Sequence, residues 1–197
     1  MGILRGITPA QVSPLLQTII NSGLKTIEIT MNTDGAAGII RQFVRDARGA
    51  VTIGAGTVLT CAEVDAACEA GATFIVMPVC IPEVVAHCVD RNVPVFPGAL
   101  TPQEIYTAYA AGATMVKVFP AKTFGPAYIK ELRGPFPQIP LLACGGISPD
   151  TIQSFFAAGA SAAAFGGSIF KKEWLESGAM DRIAAAIEGL IAALQRQ

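Results

Sequence analysis

The chain has 197 residues, of which 52% are hydrophobic and 15% charged, with a formal net charge of -1 at pH 7. That length and composition predict one compact, ordered domain spanning residues 1–197, and the near-neutral charge leaves no electrostatic footprint for nucleic acid or an anionic membrane. No apolar run approaches the ~18 residues of a membrane span and no signal peptide stands at the start, so a soluble, cytoplasmic protein is expected.

Cys61, Cys68, Cys80, Cys88 and Cys144 are an odd set without a Cys-x-x-Cys pair, which points to neither a disulfide framework nor a zinc site. His87, the single histidine, is too few for a zinc centre or a multi-histidine metal site. It is expected on an exposed helix face. No metal or cofactor is called for.

Taken in order, the chain repeats one pattern: a helix, a small residue with glycine, then a short apolar strand. It occurs at Ser22-Gly23-Leu24, Ala70-Gly71-Ala72, Ala111-Gly112-Ala113 and Ala158-Gly159-Ala160, spaced 48, 41 and 47 residues apart. Glycine just past a helix end is the expected C-terminal cap. Strands are predicted at 2–5, 24–30, 51–55, 73–77, 94–96, 114–119, 140–143 and 161–165. Helices are predicted at 9–22, 34–48, 60–70, 81–91, 101–111, 125–133, 148–158 and 178–195. Thr8-Pro9, Thr101-Pro102 and Ser148-Pro149 each pair a capping residue with proline at the first helical position. Strands alternating with helices in this number predict a (β/α)8 TIM barrel, with a doubly wound open sheet as the structural alternative.

The sixth strand, Thr114-Met115-Val116-Lys117-Val118-Phe119 followed by Pro120, is apolar except for Lys117 and Thr114. An unpaired buried ammonium is costly, and desolvation favours the neutral amine that attacks carbonyls. From this strand alone, Lys117 is either a catalytic amine or a strand-end lysine whose head snorkels into solvent. Strand phase separates the two. Val116 and Val118 face the helices, which turns Lys117 into the barrel; Ile27 and Ile29 do the same for Glu28. The same count places Arg5 inward on strand one and Thr57 inward just past strand three. These four polar groups converge at the C-terminal ends of the strands, where this fold keeps its active sites. A polar plug of paired charges is the bland alternative.

Two glycine pairs end the last two strands, Gly145-Gly146 and Gly166-Gly167, the second followed by Ser168. Uncovered backbone N–H groups there make an anion pocket, and loops seven and eight are the recurrent phosphate site of the barrel. A substrate with a phosphate at one end and a keto group near Lys117 at the other is expected. A lysine beside a carboxylate suits Schiff-base chemistry, with Glu28 moving protons and Arg5 and Thr57 holding a carboxylate or hydroxyls.

Ile3-Leu4-Arg5-Gly6-Ile7, Glu28-Ile29-Thr30, Gly54-Ala55-Gly56-Thr57, Phe96-Pro97-Gly98, Lys117-Val118-Phe119-Pro120, Gly145-Gly146 and Gly166-Gly167-Ser168 together resemble the class I 2-keto-3-deoxy-6-phosphogluconate (KDPG) and phosphogalactonate aldolases. The resemblance runs in order over essentially the whole chain. It implies a homotrimeric barrel that cleaves a 2-keto-3-deoxy-6-phospho sugar acid to pyruvate and glyceraldehyde 3-phosphate. It also implies that Lys117 is the Schiff-base lysine and Glu28 the proton carrier. Arg5, Thr57 and Pro78 align with pyruvate-side contacts, Phe119 belongs to the lysine's motif on the substrate side, and Gly145, Gly166, Gly167 and Ser168 align with the phosphate pocket. Asn32 stands where the gluconate enzymes usually carry a carboxylate-binding arginine, as in the galactonate branch. Cys144 stands where they tend to have threonine, and Met77 precedes Pro78 where a smaller residue is usual. The sugar epimer stays open at this stage. The alternatives are a 4-hydroxy-2-oxoglutarate aldolase giving pyruvate and glyoxylate, a phosphate-binding barrel acting as isomerase or synthase, and a non-catalytic binding protein.

Overall fold

In the computed structural model residues 1–195 are described; Arg196 and Gln197, the last two positions of the expected domain, lie outside them. Short apolar segments form the strands β1 (Gly2–Leu4), β2 (Thr26–Thr30), β3 (Thr52–Gly56), β4 (Ile75–Val76), β5 (Val95–Phe96), β6 (Gly98–Ala99), β7 (Val116–Val118), β8 (Leu141–Cys144) and β9 (Ala162–Ala164). All neighbours pair in parallel, in the order β1-β2-β3-β4-β5 and β6-β7-β8-β9. The two arcs join at both ends. Pro97 alone separates β5 from β6, and Phe165, just past β9, bridges to Gly2, with the Ile3 N–H donating to the Phe165 carbonyl at 2.8 Å. Strand order that follows chain order and then closes on itself is a barrel, which excludes the open doubly wound sheet.

The fifth barrel strand thus departs from the expected single segment 94–96. Pro97 has no N–H to donate, so the ladder breaks there and resumes at Gly98. Its carbonyl still accepts from the Lys117 N–H at 2.9 Å, which ties the centre of β7 to this strand.

The helices are α1 (Pro9–Asn21), α2 (Ala36–Ala47), α3 (Cys61–Glu69), α4 (Pro82–Asp90), α5 (Pro102–Ala110), α6 (Gly125–Arg133), α7 (Ile152–Ala157), α8 (Lys172–Ser177) and α9 (Met180–Gln195). The longer helices bury apolar stripes, whereas α8 buries Leu175 alone. In α2 the stripe is Ile39, Ile40, Phe43 and Ala47, with Arg41, Arg45 and Asp46 outside; burying each of the larger side chains contributes about 1.5–3 kcal/mol. The four recurrent glycines close α1, α3, α5 and α7 with φ between 80 and 100°, the left-handed conformation that their repeat pattern anticipates. Capping boxes open α1 at Thr8, α3 at Thr60 and α5 at Thr101.

Two helix expectations need correcting. Ser148-Pro149 opens a turn rather than the helix, because the Thr151 hydroxyl accepts from the Ser148 N–H (2.9 Å) and donates to the Gly146 carbonyl (2.7 Å), so α7 begins only at Ile152. The six-residue α8 before α9 was not anticipated. His87 is also less exposed than expected: it is partly buried, with Nε2 2.8 Å from Asp65, and Arg91 approaches the same carboxylate at 2.9 Å, tying α3 to α4.

Side chains on the two faces of the strands form two cores. The larger lies between strands and helices and contains Ile27, Ile29, Val116 and Val118. The smaller lies inside the barrel and gathers Leu142, Cys144 and Ala164 with Ile3, Phe96 and Met115. Phe74 and Phe96 stack at 5.6 Å. Gly54 leaves the room for this, since a β-carbon there would sit 2.3 Å from the Phe74 ring.

Candidate active site

Lys117 and Glu28 stand on strands from opposite sides of the barrel and turn inward. Their side chains are only 6% and 1% exposed. Glu28 has its space because Gly56 on the adjacent strand has no side chain; a β-carbon there would lie 2.3 Å from Glu28 Oε1. Burial, the largest influence, holds the Glu28 carboxyl above its ordinary range, opposed by the positive charges of Lys117, the Met1 amino group and Arg5. Its Oε2 has no hydrogen-bond partner among the described residues, and no ion pair joins it to Lys117. A buried acid with an unused oxygen, within the electrostatic reach of an amine that it does not bond, has a site left for exchanging a proton with a third group. The Lys117 Nζ lies 5.3 Å from the centre of the Phe119 ring, so Phe119 covers it on the mouth side.

Arg5 and Thr57 meet as expected, with the guanidinium donating to Oγ1 at 3.2 Å. Thr57 has φ +56°, a conformation that a β-branched residue adopts only under constraint. The neighbouring Val58 N–H, bonded to Val76 O at 3.2 Å, fixes the chain as it leaves β3. Pro78 is partly buried at the end of β4, with its carbonyl packed over Gly98; a β-carbon at Gly98 would be 2.1 Å from it. Asn32 is exposed in the turn after β2.

The glycine loops lie side by side. The Ser168 hydroxyl donates to the Ile147 carbonyl at 2.8 Å and so ties the loop after β9 to the loop after β8. Gly145 and Gly146 have φ +100° and +76°, and a β-carbon on Gly146 would be 2.7 Å from the Lys122 side chain. Gly167 faces open space. Among the described residues, the amides of Gly145, Gly146, Gly167 and Ser168 donate to no backbone carbonyl. Several unspent N–H groups at one place form a cradle for an anion.

A cavity of about 700 Å³ runs over these loops. It is lined by Gly145, Gly146, Gly166, Gly167 and Ser168, and it reaches Arg5, Phe119 and Cys144. Lys117, Glu28, Thr57, Pro78 and Asn32 do not line it. The first three lie behind its inner end, Lys117 through its contact with Phe119, Thr57 through Arg5, and Glu28 beside Gly56. Cys144 is buried there, and burial pushes its thiol pKa up, so it is a packing group rather than a reactive thiolate. Sequence reasoning missed Gln11, Lys172, Leu175 and Glu176, which form the outer wall. The available signal was modest: an i,i+4 Lys172–Glu176 pair followed by Gly178, which caps α8 in the left-handed conformation.

The model of the KDPG and KHG aldolase family matches residues 1–186. The chain belongs to this family. It is therefore an aldolase, a carbon–carbon lyase. Among its relatives, 2-dehydro-3-deoxy-6-phosphogalactonate aldolase of Escherichia coli strain K12 is 36% identical over 172 residues, covering 87% of this chain and 84% of that protein. The 2-dehydro-3-deoxy-phosphogluconate aldolase of Haemophilus influenzae is 37% identical over 182 residues, covering 91% and 85%. The solved native KDPGal structure superposes with a TM-score of 0.92 at 32% identity, over 98% of this chain and 93% of that one. The family's TIM-barrel-like fold and the closed parallel barrel described above agree.

Proposed function

We propose that this chain cleaves a 2-keto-3-deoxy-6-phospho sugar acid to pyruvate and glyceraldehyde 3-phosphate through a Schiff base on Lys117. The neutral amine adds to the C2 ketone, and the carbinolamine loses water to give an iminium. Removal of the C4 hydroxyl proton lets the C3–C4 bond break, its electron pair entering the iminium to give an enamine while the aldehyde leaves. Protonation at C3 and hydrolysis with one water then release pyruvate and restore the amine. Glu28 carries the proton in these steps, alternately base and acid. Arg5 and Thr57 hold the pyruvate carboxylate, with Pro78 and Phe119 shaping that end and Asn32 at the rim. Gly145, Gly146, Gly166, Gly167 and Ser168 receive the phosphate through backbone N–H groups.

The observation that carries this reading is the unpartnered, buried Glu28 Oε2 facing an equally buried Lys117 with no ion pair between them. A structural plug of paired charges would have spent that oxygen on the ammonium. Relatives named for the phosphogalactonate and phosphogluconate reactions support the substrate class. We further take the protein to be a cytoplasmic homotrimer of single-domain barrels over residues 1–197, as the family resemblance implies; among the described residues no helix is long and apolar enough to cross a membrane.

The test is reductive trapping. Pyruvate with borohydride is expected to leave one stable adduct, mapped by mass spectrometry to Lys117 and absent in Lys117→Met. Wild-type protein that folds but traps no pyruvate would sink the Schiff-base reading.

A further inference from the structure

The amides of the glycine loops are neutral donors, whereas a phosphate monoester carries a charge of about -1.5 to -2 at pH 7. Among the described residues, two cations line the cavity, Arg5 and Lys172. Arg5 is engaged with Thr57 at the reacting end, which leaves Lys172 for the outer end. The acid among the described lining residues is Glu176, on the same wall. The Lys172 Nζ is 3.6 Å from Glu176 Oε1, and the two side chains are 87% and 64% exposed. The wall itself is fixed: the Gln11 side-chain amide donates to the Leu175 carbonyl at 2.8 Å, and Leu175 is buried beneath it.

We propose that Lys172 supplies the side-chain charge that binds the substrate's phosphate, and that Glu176 competes for it, so that this pair sets the preference for phosphorylated over unphosphorylated aldols. The proposal rests on the aldolase reading above. An exposed lysine–glutamate pair contributes little and is easily given up. A phosphate seated on the loops offers Lys172 a stronger charge-assisted bond. Without Lys172, the Glu176 carboxylate would face the phosphate dianion directly, and like charges in one cavity repel. Glu176 therefore weakens phosphate binding, and it weakens it selectively, since an aldol ending in an uncharged group gains nothing from Lys172. Lys172 lines the cavity, which Lys117 does not, and on this proposal it takes no part in bond making at the keto group.

The test uses the full chain and two readouts. Inorganic phosphate is titrated by calorimetry into wild type, Lys172→Met, Lys172→Arg and Glu176→Gln; pyruvate–borohydride trapping is run on the same samples. Binding is expected to weaken about 10-fold in Lys172→Met, consistent with loss of one exposed charge-assisted contact. It should be kept in Lys172→Arg and tightened in Glu176→Gln, with trapping unchanged throughout. In turnover, Lys172→Met should raise KM for the phosphorylated substrate by a similar factor and leave kcat within about two-fold. Equal phosphate affinity in wild type and Lys172→Met, or no measurable phosphate binding by wild type, overturns the proposal. So does a parallel loss of phosphate binding and trapping, which marks a structural role. Failure of wild type to trap pyruvate would instead remove the Schiff-base reading, and the phosphate titrations would still decide the role of Lys172.

Discussion

At Glu28, charge and burial conflict most sharply. The folded state holds its proton to higher pH than the unfolded chain does, because burial raises its pKa more than Lys117 and the other positive charges lower it. Folding therefore binds a proton over that interval, and stability falls as pH rises from the ordinary glutamate range through the raised value. Glu28→Gln removes the titration. Its melting temperature relative to wild type is expected to become more favourable as pH rises above the ordinary glutamate range, read by calorimetry in matched buffers. A constant difference would show that Glu28 does not titrate in this window. In activity the same variant should go the other way, trapping pyruvate normally while turnover falls ~10²–10⁴-fold, the range for a lost general acid–base. Unchanged turnover would mean that water or another group moves the proton. Opposite effects on stability and turnover are what a functional buried acid predicts and a structural one does not.

Between neighbouring strands, two glycines with close contacts separate site from scaffold. A methyl on Gly56 meets the Glu28 carboxyl, which can rotate away from it, whereas a methyl on Gly98 meets the Pro78 backbone, which cannot. Gly56→Ala is therefore expected to cost more in turnover than in stability. Gly98→Ala should instead destabilise by about 1–3 kcal/mol or more through forced backbone shifts. Urea unfolding and steady-state rates on both variants check this ordering, and a reversed order would mean that the Glu28 position is not critical. The helix ends respond to simpler rules. Thr101 caps α5 by accepting from the Glu104 N–H, and the Glu104 carboxylate returns two bonds, to the Leu100 and Thr101 N–H groups. Thr101→Ala should cost about 1 kcal/mol in urea unfolding with no change in KM.

For the whole molecule, the closed barrel gathers at one mouth residues that are far apart in the chain, with Arg5 and Phe119 lining the cavity and Thr57 bonded to Arg5. The proposed trimer predicts a sedimentation-equilibrium mass of three chains at micromolar concentration; a single-chain mass would leave the barrel to act alone.

Much of this was legible in residue order. Alternation of Ile27, Glu28 and Ile29, and of Val116, Lys117 and Val118, determines which face each side chain takes, because a strand turns every second residue inward. Gly-and-small-residue repeats marked where helices stop, since only a few residues tolerate a left-handed φ. Gly145 and Gly146 marked the turn after β8 for the same reason, with φ +100° and +76°. Other features were decided in three dimensions. The break at Pro97 was visible as a proline, but whether pairing resumes after it depends on β7 being alongside. The short α8 has too few turns to show a period, and its Lys172–Glu176 wall shares a cavity with Gly145 and Gly146 only because the barrel sets the loops after β8 and β9 side by side. That Glu28 and Lys117 face each other without pairing is a matter of barrel width, which local sequence does not encode because it is set by how many strands close the ring.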